Sequence, residues 1–203
     1  MSEPKKKTNK GSMATRALEI EEVLKIVKLA SEGFTYKEGY KTKRFRPNKQ
    51  TALALTLEAN LGIRISDVMK LKVKNFKGNK IEVREKKTGK LQYRSINPNI
   101  VNLVMEYAMD NGIRKDDYIF TISVKAIQKQ LRIIAGYLGL ENIGTHSFRK
   151  FYATTQYNDN NSNIELVKEL LNHSSIATTQ AYINVSQKEI DKASSNFYID
   201  VGF

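Results

Sequence analysis

The chain has 203 residues, 40% of them hydrophobic, enough for one good-sized domain or two small ones. No apolar run approaches the ~20 residues of a membrane span, there is no signal-peptide pattern, and the absence of cysteine excludes disulfides and thiolate metal sites. A formal net charge of +13 favours a polyanionic partner, nucleic acid above anionic membrane, and the chain is read as cytoplasmic.

Residues 1–13, "MSEPKKKTNKGSM", are polar and set aside as a flexible basic tail or a remnant of cloning; residues 14–203 are expected to form one domain. Leu18, Val23, Ile26 and Leu29 recur at roughly helical spacing and predict a first helix ending at Gly33. "FTYKEGYKTKRFRPNK" reads as a basic connection, with Pro47 suited to the start of the next helix. "TALALTLEANLG" is apolar all round and predicts a buried helix capped by Gly62. "RISDVMKLKVKNF" then suggests another helix or a turn.

"KIEVRE" and "LQYRSI" alternate around the turn "KKTGK" and predict a β-hairpin, to which "DYIF" is expected to add a third strand. Between Lys70 and Arg94 lie ten basic residues and two acidic ones, a stripe suited to phosphates. Its candidate DNA contacts are Lys70, Lys72, Lys74, Lys86, Lys90 and Arg94; the bland alternative is a solvated strand face. "PNIVNLVMEYAMDNG" is a helix opened by Pro98 and closed at Gly112, and "SVKAIQKQLRIIAGYLGL" is helical. Three further helices are expected: "THSFRKFYATTQYN" capped by Thr145, "NSNIELVKELLNH" with a Ser162–Glu165 capping box, and "SSIATTQAYIN" capped by Ser174 or Ser175. "SQKEIDKASSNF" is compatible with a last helix before the apolar end "YIDVGF". The expected fold class is mainly α (α+β), with a small three-stranded antiparallel sheet.

The two histidines of the chain are His146 and His173. His146 and Arg149 share a helix face near a helix start, where both could donate to an anion, although a surface pair would look the same. His173 ends an amphipathic helix after Asn172, a residue tolerant of the left-handed conformation, and Tyr182 follows nine residues later. Arg64 stands just past the Gly62 cap, and Lys87 in the turn of the basic hairpin. Each alone has an ordinary structural reading: a surface arginine, a solvated lysine, a helix-end histidine, a half-buried tyrosine.

Their joint order resembles the catalytic set of the tyrosine recombinases, the phage integrase family. "GIRISDV" resembles that family's first-arginine segment, "EKKTGK" its hairpin-lysine segment, "THSFRKFYAT" its His-x-x-Arg helix and "LLNHSSIATTQAYI" its histidine-to-tyrosine segment. The resemblance covers about residues 14–190, that family's whole catalytic domain. Asn172 stands where the family usually has Gly, and Lys150 where many members have His. A separate N-terminal core-binding domain is expected to be absent, whether because the chain is a catalytic-domain piece or because it is a short member like the fimbrial phase-variation recombinases.

The resemblance implies site-specific DNA recombination or integration, for a phage or other mobile element, through a 3′-phosphotyrosyl intermediate. Tyr182 would be the nucleophile, Arg64 and Arg149 would hold the non-bridging oxygens, and His173 would donate a further hydrogen bond. His146 would take the tyrosine's proton, and Lys87 would protonate the leaving 5′ oxygen. No cofactor and no metal are expected. The partner would be double-stranded DNA, bound by a homotetramer assembled from free monomers, with no membrane. The apolar C-terminal end would pass between neighbours in that assembly. The alternatives are a DNA-binding protein that does not cut, and a type IB topoisomerase-like relaxing enzyme.

Overall fold

The computed structural model describes residues 14–84, 89–183, 191 and 194–196. A first helix, α1 (Ile20–Glu32), leads into a hairpin of β1 (Phe34–Glu38) and β2 (Lys41–Phe45), then into α2 (Lys49–Leu61) and the short α3 (Ile65–Val68). A three-stranded sheet follows, with β3 (Phe76–Lys77), β4 (Lys80–Arg84) and β5 (Leu91–Ser95). The rest is helical: α4 (Pro98–Asp110), α5 (Val124–Tyr137), α6 (Thr145–Asp159), α7 (Ile164–Leu171) and α8 (Ile176–Gln180).

The expected buried helix is α2, and it forms the centre of the molecule. Thr51 to Leu55, Leu57 to Ala59 and Leu61 are all buried, and only Lys49 and Asn60, near its two ends, are exposed. The Asn48 side chain accepts the Thr51 N–H at 2.9 Å and starts it. Gly62 ends it in the left-handed region, φ 60°, donating to the Glu58 carbonyl at 3.0 Å. A side chain at Gly62 would also collide with the Tyr152 ring, since a Cβ there would lie 2.2 Å from it. The α1 and α6 helices pack against α2, and α7 and α8 continue from α6. One core joins α1 to α5 and the sheet; a smaller cluster of Tyr152, Ala153, Val167 and Leu171 lies under α6 and α7, with Tyr182 at its edge.

Several local expectations change. The predicted β4–β5 hairpin forms, but its third strand is Phe76–Lys77, paired as Phe76↔Ile81. Tyr118, in the "DYIF" segment, makes only an isolated bridge to Lys72. The stretch read as a basic connection is the β1–β2 hairpin, turned by Gly39 at φ 60°. Thr145 is the first residue of α6, and the residue before it, Gly144, takes the cap position. At α7 the cap is Asn163, which accepts from Leu166 N–H at 3.0 Å, while Ser162 sits in the left-handed turn before it. Of the two serines offered for α8, Ser175 is the cap. Most of the expected last helix, and the apolar end from Phe197 to Phe203, lie outside the described residues.

Candidate active site

The C-terminal ends of α2 and α7 meet, and a helix end leaves carbonyls without intrahelical partners. Two guanidinium groups supply the donors. Arg149, on α6, donates to Gly62 O at 2.7 Å and to Leu171 O at 2.8 Å. Arg94, on β5, donates to the preceding residue of each pair, Leu61 O and Leu170 O, the latter at 2.8 Å. The arginines also place positive charge at the negative ends of two helix dipoles.

Arg149 is fully buried and reaches one group more, the Nε2 of His173 at 3.0 Å. Arginine only donates, so Nε2 is the acceptor nitrogen and the ring proton sits on Nδ1, which faces Thr179 Oγ1 at 3.1 Å. His173 is therefore neutral in this arrangement. Its position follows from Asn172, which takes the left-handed conformation at φ 53°, as its residue type suggests, and lets the His173 N–H turn back to Lys168 O at 3.0 Å.

Tyr182 follows α8 by two residues, and its N–H donates to Thr179 O at 2.9 Å. Its ring meets His173 edge-on at 4.9 Å between centroids. The Arg149 guanidinium lies 5.8 Å from the ring centre, and the Lys150 ammonium 6.0 Å. Arg149, His173 and Tyr182 thus converge, from α6, the turn between α7 and α8, and the segment after α8.

Arg64 is half-buried in the position before α3, two residues beyond the carbonyl that Arg149 grips. Its turn is fixed by Glu58. The Glu58 backbone carbonyl accepts from Gly62 N–H, and its side chain accepts from Ile65 N–H at 3.1 Å. Burial pushes the Glu58 carboxyl well above the ordinary carboxylate range; the Ile65 hydrogen bond and the charge of Arg149 pull it back less.

His146 is exposed on the first turn of α6, beside a cleft lined by Thr15, Gln128 and Arg132, three residues before Arg149. Lys87 and Lys86 lie outside the described residues. Among the other expected DNA contacts, Lys70 and Lys90 are exposed, Lys72 lies over the Tyr118 ring at 4.5 Å, and Lys74 pairs with Asp116 at 2.7 Å. Arg94, half-buried, donates from both terminal nitrogens to carbonyls inside the fold and so positions two helix ends. Sequence reasoning also missed Glu58 and Thr179, whose roles depend on tertiary neighbours. Among the described residues there is no group of three His, Asp or Glu that could hold a metal ion, and no helix long and apolar enough to cross a membrane.

The model of the phage integrase family matches residues 17–189. The probable integrase/recombinase YoeC of Bacillus subtilis is 30% identical over 148 residues, 69% of this chain and 80% of its own. The probable integrase/recombinase of Acholeplasma phage L2 is 27% identical over 76% of this chain and 55% of its own. Among solved structures, XerA recombinase matches with a TM-score of 0.68 at 19% identity, over 90% of this chain and 65% of that one. The XerH recombinase bound to a palindromic difH substrate, a post-cleavage complex, matches with a TM-score of 0.69 at 20% identity, over 89% and 52%. At such identities the solved structures show the shared fold, and this chain spans about half to two thirds of the length of these last three relatives.

Proposed function

The chain belongs to the phage integrase family of tyrosine recombinases, and from that premise we propose that it cuts and rejoins double-stranded DNA at specific sites through a 3′-phosphotyrosyl intermediate. The observation that carries this reading is the convergence of Arg149, His173 and Tyr182, with a 3.0 Å Arg149–His173 contact and a 4.9 Å His173–Tyr182 ring contact.

Tyr182 Oη attacks a backbone phosphorus, the bond to the 5′ oxygen breaks, and the 3′ phosphate stays on the tyrosine. A free phenol has a pKa of about 10, so the hydroxyl proton needs an acceptor, and His146 takes it. Arg149 and Arg64 flank one turn and face the charge that develops on the non-bridging oxygens. The leaving oxygen takes a proton from Lys87. Rejoining reverses each step, and the phosphotyrosyl bond conserves the energy of the phosphodiester, so no nucleotide cofactor is needed. The names of the relatives support a mobile-element setting, and strand exchange implies a tetramer assembled on two duplexes from free monomers.

The test is a nicked duplex carrying candidate attachment sites, incubated with the protein in chelator and resolved on a denaturing gel. The expected result is a covalent protein–DNA adduct in wild type and none in Tyr182→Phe, with duplex binding unchanged. An adduct in Tyr182→Phe removes that residue as nucleophile. Binding without any adduct favours a non-cutting DNA-binding protein, and adducts with relaxation but no strand exchange favour a topoisomerase-like enzyme.

A further inference from the structure

The β1–β2 hairpin has two different faces. Strand register puts Phe34, Tyr36 and Phe45 on one side, and Thr35, Lys37, Thr42 and Arg44 on the other. The aromatic side anchors the hairpin: Phe34 stacks on Phe45 at 5.0 Å and meets Tyr137 of α5 at 4.4 Å. The other side is exposed and carries cations and hydroxyls with no carboxylate. Residues 34–49 hold six Lys or Arg against one Glu, and that Glu, Glu38, is paired with Lys43. The α5 helix has Lys125, Lys129 and Arg132 at helical spacing and no acidic residue.

Where hairpin and helix meet there is an open cleft of about 310 Å³. Arg44 lines it from β2, Arg46 from the segment just after it and Lys129 from α5, and among the described residues no Asp or Glu lines it. All three cations are exposed and, among the described residues, engaged in no ion pair. Three like charges around one gap repel one another unless an anion shares it. The aromatic base holds their backbones in place beforehand, which lowers the ordering cost of binding. Of its apolar lining, Phe45 is buried and Tyr36 and Ile133 are packed against the core, so cations dominate the exposed rim, unlike a protein hot spot or a membrane-inserting surface.

We propose that the cleft between the β1–β2 hairpin and α5 is a seat for the DNA backbone separate from the catalytic site, with Arg44, Arg46 and Lys129 closing on phosphate. This rests on the reading of duplex DNA as substrate. Its place in binding is positional: it fixes the duplex along the domain and carries no sequence information.

The test compares wild type with the triple variant Arg44→Ala/Arg46→Ala/Lys129→Ala by titrating a fluorescent duplex at several salt concentrations. The control is Lys25→Ala/Lys28→Ala/Lys115→Ala, which removes the same charge from exposed sites elsewhere. The cleft variant is expected to lose about 2–3 from the slope of log K against log salt, and affinity by tenfold or more, while the control changes little. Covalent adduct formed at saturating DNA stays at the wild-type level. An unchanged slope, or equal loss in both variants, overturns the proposal, as does loss of adduct at saturation or loss of binding to phosphatidylserine vesicles with DNA binding intact. A wild-type protein that forms no adduct counts against the proposed reaction and leaves the salt comparison standing.

Discussion

Arg149 illustrates how little of a residue's environment its neighbours in sequence reveal. "HSFR" places an arginine three residues after a histidine; what matters is that its guanidinium spans two helix ends and a neutral imidazole. Lysine, a single point donor, cannot reproduce that fork. Arg149→Lys is expected to slow cleavage by about a hundredfold or more at saturating DNA, read from single-turnover adduct formation. Glu58 is another buried ionisable group behind this turn, and its effect runs through pH. Its folded pKa is raised from the ordinary 4.5, so the folded protein binds more protons than the unfolded chain above that value. The stability it contributes is complete below about 4.5 and is lost as pH rises towards the folded pKa, by up to ~1.4 kcal/mol per pH unit for one proton. Glu58→Gln keeps an acceptor for Ile65 and removes the titration. Urea unfolding across pH 4–8 should show the variant gaining on wild type as pH rises; parallel curves would refute this account. Asn172 and Gly62 were legible from residue type, since both positions need the left-handed conformation. Glu58 was not, because only burial distinguishes it from a surface carboxylate.

At the scale of elements, the sequence was informative wherever one residue type had a single physical reading. The α2 helix is apolar all round and so had to be central, and the β4–β5 alternation had to be a hairpin. It was ambiguous where the pattern was mixed. The inward side of the β1–β2 hairpin interleaves Phe and Tyr with Lys41 and Lys43, so its alternation is hidden by charge. The third strand has only two residues, too few to show any period. The junction between α2 and α6 is the element contact on which the site depends most. Gly62→Ala would force a Cβ into the Tyr152 ring and a side chain into positive φ. The expected cost is about 2–4 kcal/mol, combining overpacking with backbone strain. The carbonyl that holds Arg149 would move as well, so cleavage should fall further than stability does. Denaturant midpoints and adduct rates measured together check this; full activity in a destabilised variant would break the link.

At the scale of the whole molecule the proposed behaviour turns on charge and assembly. If about six phosphates are neutralised, affinity should fall roughly a thousandfold between 50 and 200 mM salt, and equilibrium titration reads this directly. The apolar end of the chain, with Phe197, Tyr198, Ile199, Val201 and Phe203, is expected to act between protomers. Deleting residues 195–203 should preserve binding to a single site and reduce complete strand exchange; equal recombination by the truncated chain would assign that end another purpose. The paired arginines have a consequence of a different kind, in time. Arg149 joins residues 87 and 22 positions away, and Arg94 joins residues 33 and 76 positions away. Contacts so distant along the chain close large loops, whose entropy is lost before the contacts reward it. The convergence of Arg149, His173 and Tyr182 therefore exists only once both helix ends are in place, and an unfolded chain holds no such arrangement.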